Sequence, residues 1–202
     1  EQVGEILRAL AQAYPAECSL QYQKDYELLF AVRLAAQCTD ERVNQITPAL
    51  FARYPTVYDC AQADETELMD YIRSTGFYNH KAKNIIGPAK RICEVYGGKV
   101  PDNIDDLVTL PGVGRKIANL IIGDVYKRPA IVVDTHCKRL TYRMGLTKNT
   151  DPVKIEMDLW KIVPPAYSAK FCHQLVLLGR EFCTARSPRC GECPVRDGCK
   201  QA

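Results

Sequence analysis

Four cysteines crowd into the last twenty residues, spaced Cys183-x6-Cys190-x2-Cys193-x5-Cys199. Four thiolates within 17 residues, built around a Cys-x-x-Cys core, can surround one tetrahedral centre, which makes this stretch a short metal-clamped loop. Zinc and a [4Fe–4S] cluster both accept four cysteines, and spacing alone favours zinc as the commoner structural metal. Disulfides are the alternative. They fit a small exported domain, whereas 202 residues can bury a core without staples, and the opening Glu1-Gln2-Val3 shows no export signal. A reducing compartment with one metal site is the better reading. Clamped by the metal, Arg186, Arg189 and Arg196 are expected to form a rigid basic surface. The other six cysteines are scattered, and buried packing is their expected role.

The rest of the chain reads as helices. Asp64 and Glu67 form a capping-box pair ahead of Leu68, Tyr71 and Ile72, with Gly76 at the stop position. Asn79 is placed to cap a helix whose apolar residues Ala82, Ile85, Ile86, Ala89 and Ile92 recur at three and four; Pro88 predicts a kink and Gly97-Gly98 the end. Asp151-Pro152 caps the next stripe, Ile155, Leu159, Ile162 and Val163. Ser168 precedes another, through Phe171, Leu175 and Leu178, closed by Gly179. Only Ala130–Val133 reads strand-like, too short for a sheet, so the class is all-α. No apolar run reaches the ~18 residues of a membrane helix. The length allows one large domain or two small interlocked ones.

Residues 110–119 read Leu-Pro-Gly-Val-Gly-Arg-Lys-Ile-Ala-Asn. Ile104, Leu107, Val108 and Leu110 make a short helix before them, and Ile117, Ala118, Ile121 and Ile122 begin another, so Pro111–Gly114 is a tight helix–hairpin–helix. Gly112 and Gly114 are both expected to be free to take positive φ. Backbone amides at such a turn, next to a helix N-terminus, form an anion site suited to a DNA phosphate. An ordinary turn between helices is equally compatible with the Pro-Gly pattern; charge shifts the balance. The chain carries only +3, yet Pro111–Lys148 holds eight basic residues against two acidic ones. Such a local basic patch is what a phosphate backbone requires.

Lys116 sits in the first turn after the hairpin, beside Arg115 and the positive end of the helix dipole. Both disfavour an ammonium and favour the neutral amine that a lysine nucleophile needs. A phosphate-contacting or solvated lysine is the plainer alternative. Asp134, after Ile131-Val132-Val133, heads a helix running to Arg143; it is an N-cap that can also face a cleft. His136 reads as structural.

Taken together, Pro111–Lys116, Val133-Asp134-Thr135-His136 and the cysteine quartet resemble the endonuclease III family, bifunctional DNA glycosylase/AP lyases of the helix–hairpin–helix superfamily. Ala36-Gln37-Cys38-Thr39-Asp40 and Gly76-Phe77-Tyr78-Asn79 fit its pattern in order. The resemblance implies two helical lobes with an interdomain cleft. Residues 18–128 would form a six-helix barrel bearing the hairpin, and residues 1–17 with 129–202 a cluster lobe. It replaces the zinc preference with a [4Fe–4S] cluster on Cys183, Cys190, Cys193 and Cys199. Lys116 becomes the nucleophile and Asp134 the catalytic carboxylate. Gly112, Gly114 and Arg115 bind DNA, and Gln37 and Phe77 fill the gap left by a flipped nucleotide. Without the resemblance, Gln37 reads as a polar helix residue and Phe77 as a core aromatic.

The implied activity is excision of oxidised pyrimidines from double-stranded DNA with β-elimination, by a monomer on nucleoid DNA in a bacterial cytoplasm, away from membranes. Ile117 stands where the family usually has Thr, and Phe77 where it usually has Leu; both bear on lesion preference. The rival readings are a monofunctional mismatch or alkylated-base glycosylase, which generally lacks the lysine, and a non-catalytic DNA-binding module with a structural metal.

Overall fold

The computed structural model describes residues 1–202, and the chain is all-α. Its helices are α1 (Gln2–Ala13), α2 (Asp25–Leu34), α3 (Asp40–Arg53), α4 (Val57–Ala61), α5 (Glu65–Ile72), α6 (Tyr78–Tyr96), α7 (Ile104–Leu107), α8 (Arg115–Asp124), α9 (Thr135–Arg143), α10 (Pro152–Trp160) and α11 (Ser168–Glu181). No helix is long and apolar enough to cross a membrane. The chain divides into two compact units, Ser19–Tyr126 and a discontinuous one made of Glu1–Cys18 with Lys127–Ala202.

In the Ser19–Tyr126 unit, α2 packs against α3, α6 and α8. Leu28, Leu29, Phe30, Ala31 and Leu34 are all fully buried, as befits a helix whose middle, Leu28–Val32, is apolar all round. Asp64 caps α5 by accepting from the Glu67 N–H at 2.9 Å. The expected return arm of a capping box is replaced, because the Glu67 carboxylate takes the Arg53 guanidinium at 2.7 and 3.0 Å. Asn79 does not cap α6. The helix begins earlier, with Phe77 in the N-cap position. It continues through Pro88 and ends at Gly97, whose φ of 62° is the left-handed stop that glycine supplies.

The discontinuous unit has its own core, in which Ile6 and Leu10 of α1 join Leu140, Phe171, Leu175 and Val195. The Gln2 amide donates to Met144 O and Gly198 O, both at 2.8 Å. Asp151 caps α10 as expected, accepting from the Lys154 N–H at 3.0 Å. Two expectations are corrected here. Helix α11 runs past Gly179 to Glu181; that glycine is set by packing, since a Cβ there would lie 2.4 Å from His136 Nδ1. Ala130–Val133 is not a strand. Two of its N–H groups are taken by α11 side chains: Ala130 N–H donates to Ser168 Oγ at 3.0 Å and Val132 N–H to Cys172 Sγ at 3.2 Å. Of the scattered cysteines, Cys60, Cys137 and Cys172 are buried, while Cys18, Cys38 and Cys93 are half-buried.

Candidate active site and metal centre

The hairpin is built from its own turn and one outside prop. Val113 N–H donates to Leu110 O at 3.0 Å, and Gly112 sits at φ 72°. Gly114 does not share that conformation: as N-cap of α8 it has φ −93°, open to any residue. A Cβ at Gly114 would meet nothing within 4 Å, so packing within the protein does not demand glycine there, and no side chain caps α8. The prop is Arg33, at the end of α2, whose guanidinium donates to Gly112 O. Burial holds that guanidinium below its ordinary pKa, and a Cβ on Gly112 would come within 2.5 Å of Arg33 Nη2.

Gly112→Ala is therefore expected to cost about 1–2 kcal/mol in left-handed backbone strain and to push Arg33 off the turn. Thermal melts and duplex-binding titrations should show both stability and affinity falling. Lys116 occupies the second position of α8 and is exposed.

Gln37 and Phe77 have an unusual property in common. Neither is glycine, yet their φ values are 54° and 47°, each costing about 1–2 kcal/mol. Gln37 lies outside any helix, in the exposed link from α2 to α3, and Phe77 is 63% exposed. The structure thus overturns the plainer readings of both, the polar helix residue and the core aromatic. Backbone strain and exposed aromatic patches are enriched at ligand-binding surfaces.

Asp134 is half-buried and caps α9, accepting from the Cys137 N–H at 2.7 Å. His136, two residues further on, sits 3.1 Å from Arg139 Nη2; burial, then the neighbouring Arg139 and Arg180, hold its pKa below the ordinary value against the pull of Asp134.

The four clustered cysteines line one cavity, walled by Leu178, Phe182 and Val195, and none is disulfide-bonded. Burial, and then the neighbouring Cys183, Cys199 and Cys190, hold the Cys193 thiol above its usual range. Four converging sulfurs in an apolar pocket need a soft cationic centre if they are to ionise. Arg143 adds positive charge, with Nη1 3.4 Å from Cys183 Sγ. The donor set fits an iron–sulfur cluster. Arg186, Arg189 and Arg196 are all exposed, as the expected basic surface requires. Arg189 donates to Glu181 O at 2.9 Å, and Arg196 to Gly191 O at 3.1 Å, so both brace the loop itself.

Comparison with known proteins agrees with this geometry. The family model of HhH-GPD superfamily base excision DNA repair proteins matches residues 30–165. The iron–sulfur binding domain of endonuclease III matches residues 183–199. Endonuclease III of Synechocystis sp. is 48% identical, the match covering 100% of this chain and 93% of the relative. Its counterpart from Bacillus subtilis is 42% identical with the same coverage. A solved structure of a trapped endonuclease III–DNA covalent intermediate superposes with a TM-score of 0.91 at 39% identity, covering 99% of this chain and 95% of that one.

The fold and the hairpin are those of a helix–hairpin–helix base excision repair protein. Within that class, the chain belongs to the endonuclease III family. It is a DNA-binding enzyme, a DNA glycosylase with AP lyase activity, and its cofactor is a [4Fe–4S] cluster, in place of the zinc that spacing alone favoured. Arg33 had no signal in the sequence, because an isolated cation reads as a surface residue.

Proposed function

We propose that this enzyme excises oxidised pyrimidines from duplex DNA and cuts the strand 3′ to the lesion, acting as a monomer on nucleoid DNA in the bacterial cytoplasm. The observation that carries the reading is Lys116: an exposed amine at the start of α8, directly after the hairpin. In this reading Gly112, Gly114 and Arg115 hold the phosphate backbone, a contact that positions without reading sequence. The damaged nucleotide leaves the stack, which costs least where pairing is already weakened, and Gln37 and Phe77 fill the space it vacates.

Lys116 Nζ then attacks C1′, and the base departs with the electron pair of its glycosidic bond. The Asp134 carboxylate stabilises the developing positive charge on the sugar and takes part in the proton transfers. Loss of the amine proton and opening of the ring give an imine between Lys116 and C1′. Removal of a C2′ proton then breaks the C3′–O bond, and water releases the lysine. Cys183, Cys190, Cys193 and Cys199 would hold the cluster, which when bound supplies a fixed shape to their loop.

Purified enzyme assayed on duplexes bearing thymine glycol, uracil, an adenine mismatch or an alkylated purine, with and without borohydride, tests the proposal. Nicking and covalent trapping are expected with thymine glycol. Base release without trapping on any of them would overturn it. Phe77→Ala is expected to slow excision of the paired lesion about tenfold or more, since unstacking costs a few kcal/mol. Cleavage at a pre-formed abasic site should change far less.

A further inference from the structure

Lys81, one turn into α6, is a cation that the chemistry above does not use. It is only 3% exposed. Its ammonium donates to Leu34 O and to Thr75 O, each at 2.8 Å, and its backbone N–H donates to Phe77 O at 3.0 Å. Burial lowers the pKa of this amine, so the position bears a desolvation cost that an apolar side chain would avoid.

Both acceptors are carbonyls at the end of a helical segment. Leu34 is the last residue of α2, and Thr75 closes the 3-10 turn that follows α5. Such carbonyls lack helical partners and attract a cation. Each also stands just before a strained, exposed residue: Leu34 O leads through Ala35 and Ala36 to Gln37, and Thr75 O through Gly76 to Phe77. One ammonium therefore ties together the roots of the two loops.

We infer that Lys81 is a positioning residue that locks the Gln37 loop to the Phe77 loop, so that the two side chains enter DNA as one pre-set wedge. The inference rests on the gap-filling reading of Gln37 and Phe77. Gln37 lies outside any helix, and Phe77 stands only at the N-cap of α6. Arg33, adjacent in sequence to Leu34, props the hairpin at Gly112, so the end of α2 anchors all three loops of this unit that are assigned to DNA.

The test uses a thymine-glycol duplex with 2-aminopurine opposite the lesion, whose fluorescence rises when it is unstacked. Lys81→Met keeps the stem and removes both bonds. Ile92→Val, in the far half of α6, supplies a stability-matched control, and Lys81→Arg a partial rescue that retains charge and donors. Lys81→Met is expected to lose most of the fluorescence rise and to slow excision about 10–100-fold beyond the control, the scale of an ångström-level misplacement. Combined with Phe77→Ala, it should add almost nothing, because both act on one step.

If Lys81→Met merely matches Ile92→Val while Phe77→Ala and Gln37→Ala lose the signal, the positioning role falls and the wedge reading stands. If Phe77→Ala and Gln37→Ala also keep the full signal, the wedge reading itself falls. Should Lys81→Met fail to fold, Lys81→Gln, too short to span both carbonyls, is judged by the same fluorescence and by the same criteria.

Discussion

Replacing Lys116 by alanine should eliminate borohydride trapping on lesion-bearing duplex. Strand cleavage at abasic sites should fall at least about 10³-fold, which is ~4 kcal/mol of transition-state stabilisation. The side chain is on the surface of α8, so its removal should alter stability by no more than ~0.5 kcal/mol. Duplex binding should persist, because the hairpin amides and Arg115 remain. Trapping is the decisive readout: an imine reduced by borohydride leaves the enzyme bonded to deoxyribose only if an amine has attacked C1′. Undiminished trapping in the variant would place the nucleophile elsewhere and remove the mechanism proposed above. Lys116→Arg should be as inactive as alanine, since a guanidinium keeps its charge at any usable pH.

The second large effect is expected at Asp134, where two roles must be separated. The carboxylate caps α9, and losing a cap costs about 1 kcal/mol. Asparagine caps nearly as well as aspartate, so Asp134→Asn should leave the melting temperature almost unchanged. It should nonetheless lower turnover about 10²–10⁴-fold, the range of a positioned acid–base group. Asp134→Ala should lose both activity and stability. Full activity in Asp134→Asn would show that capping is the whole of its function.

Much of this was readable from residue order, and the reasons are physical. The hairpin is legible because its turn is short and Gly112 must take a conformation that other residues resist; Gly114 shows the limit of that argument, being glycine without the angle. The cysteine quartet is legible because ligand spacing is a chain-geometry constraint. Helix α2 is the reverse case. Buried on every side, it carries no amphipathic stripe, so periodicity gives it no signature. Gln37 and Phe77 could be singled out only through family resemblance, since local propensity argues against a left-handed glutamine or phenylalanine. Lys81 and Arg33 escaped altogether: a lysine bonded to two carbonyls and a lysine waving in solvent are the same letter.

The unit made from both ends of the chain constrains the order in which the protein can be completed on the ribosome. Helix α1 emerges well before its partners, for Ile6 and Leu10 pack on residues as late as Val195, and Gln2 bonds to Gly198. That helix must wait, its apolar face unpaired, until Val195 and Gly198 have been made. Residues 19–126, whose contacts lie within one continuous stretch, are available to condense during the interval.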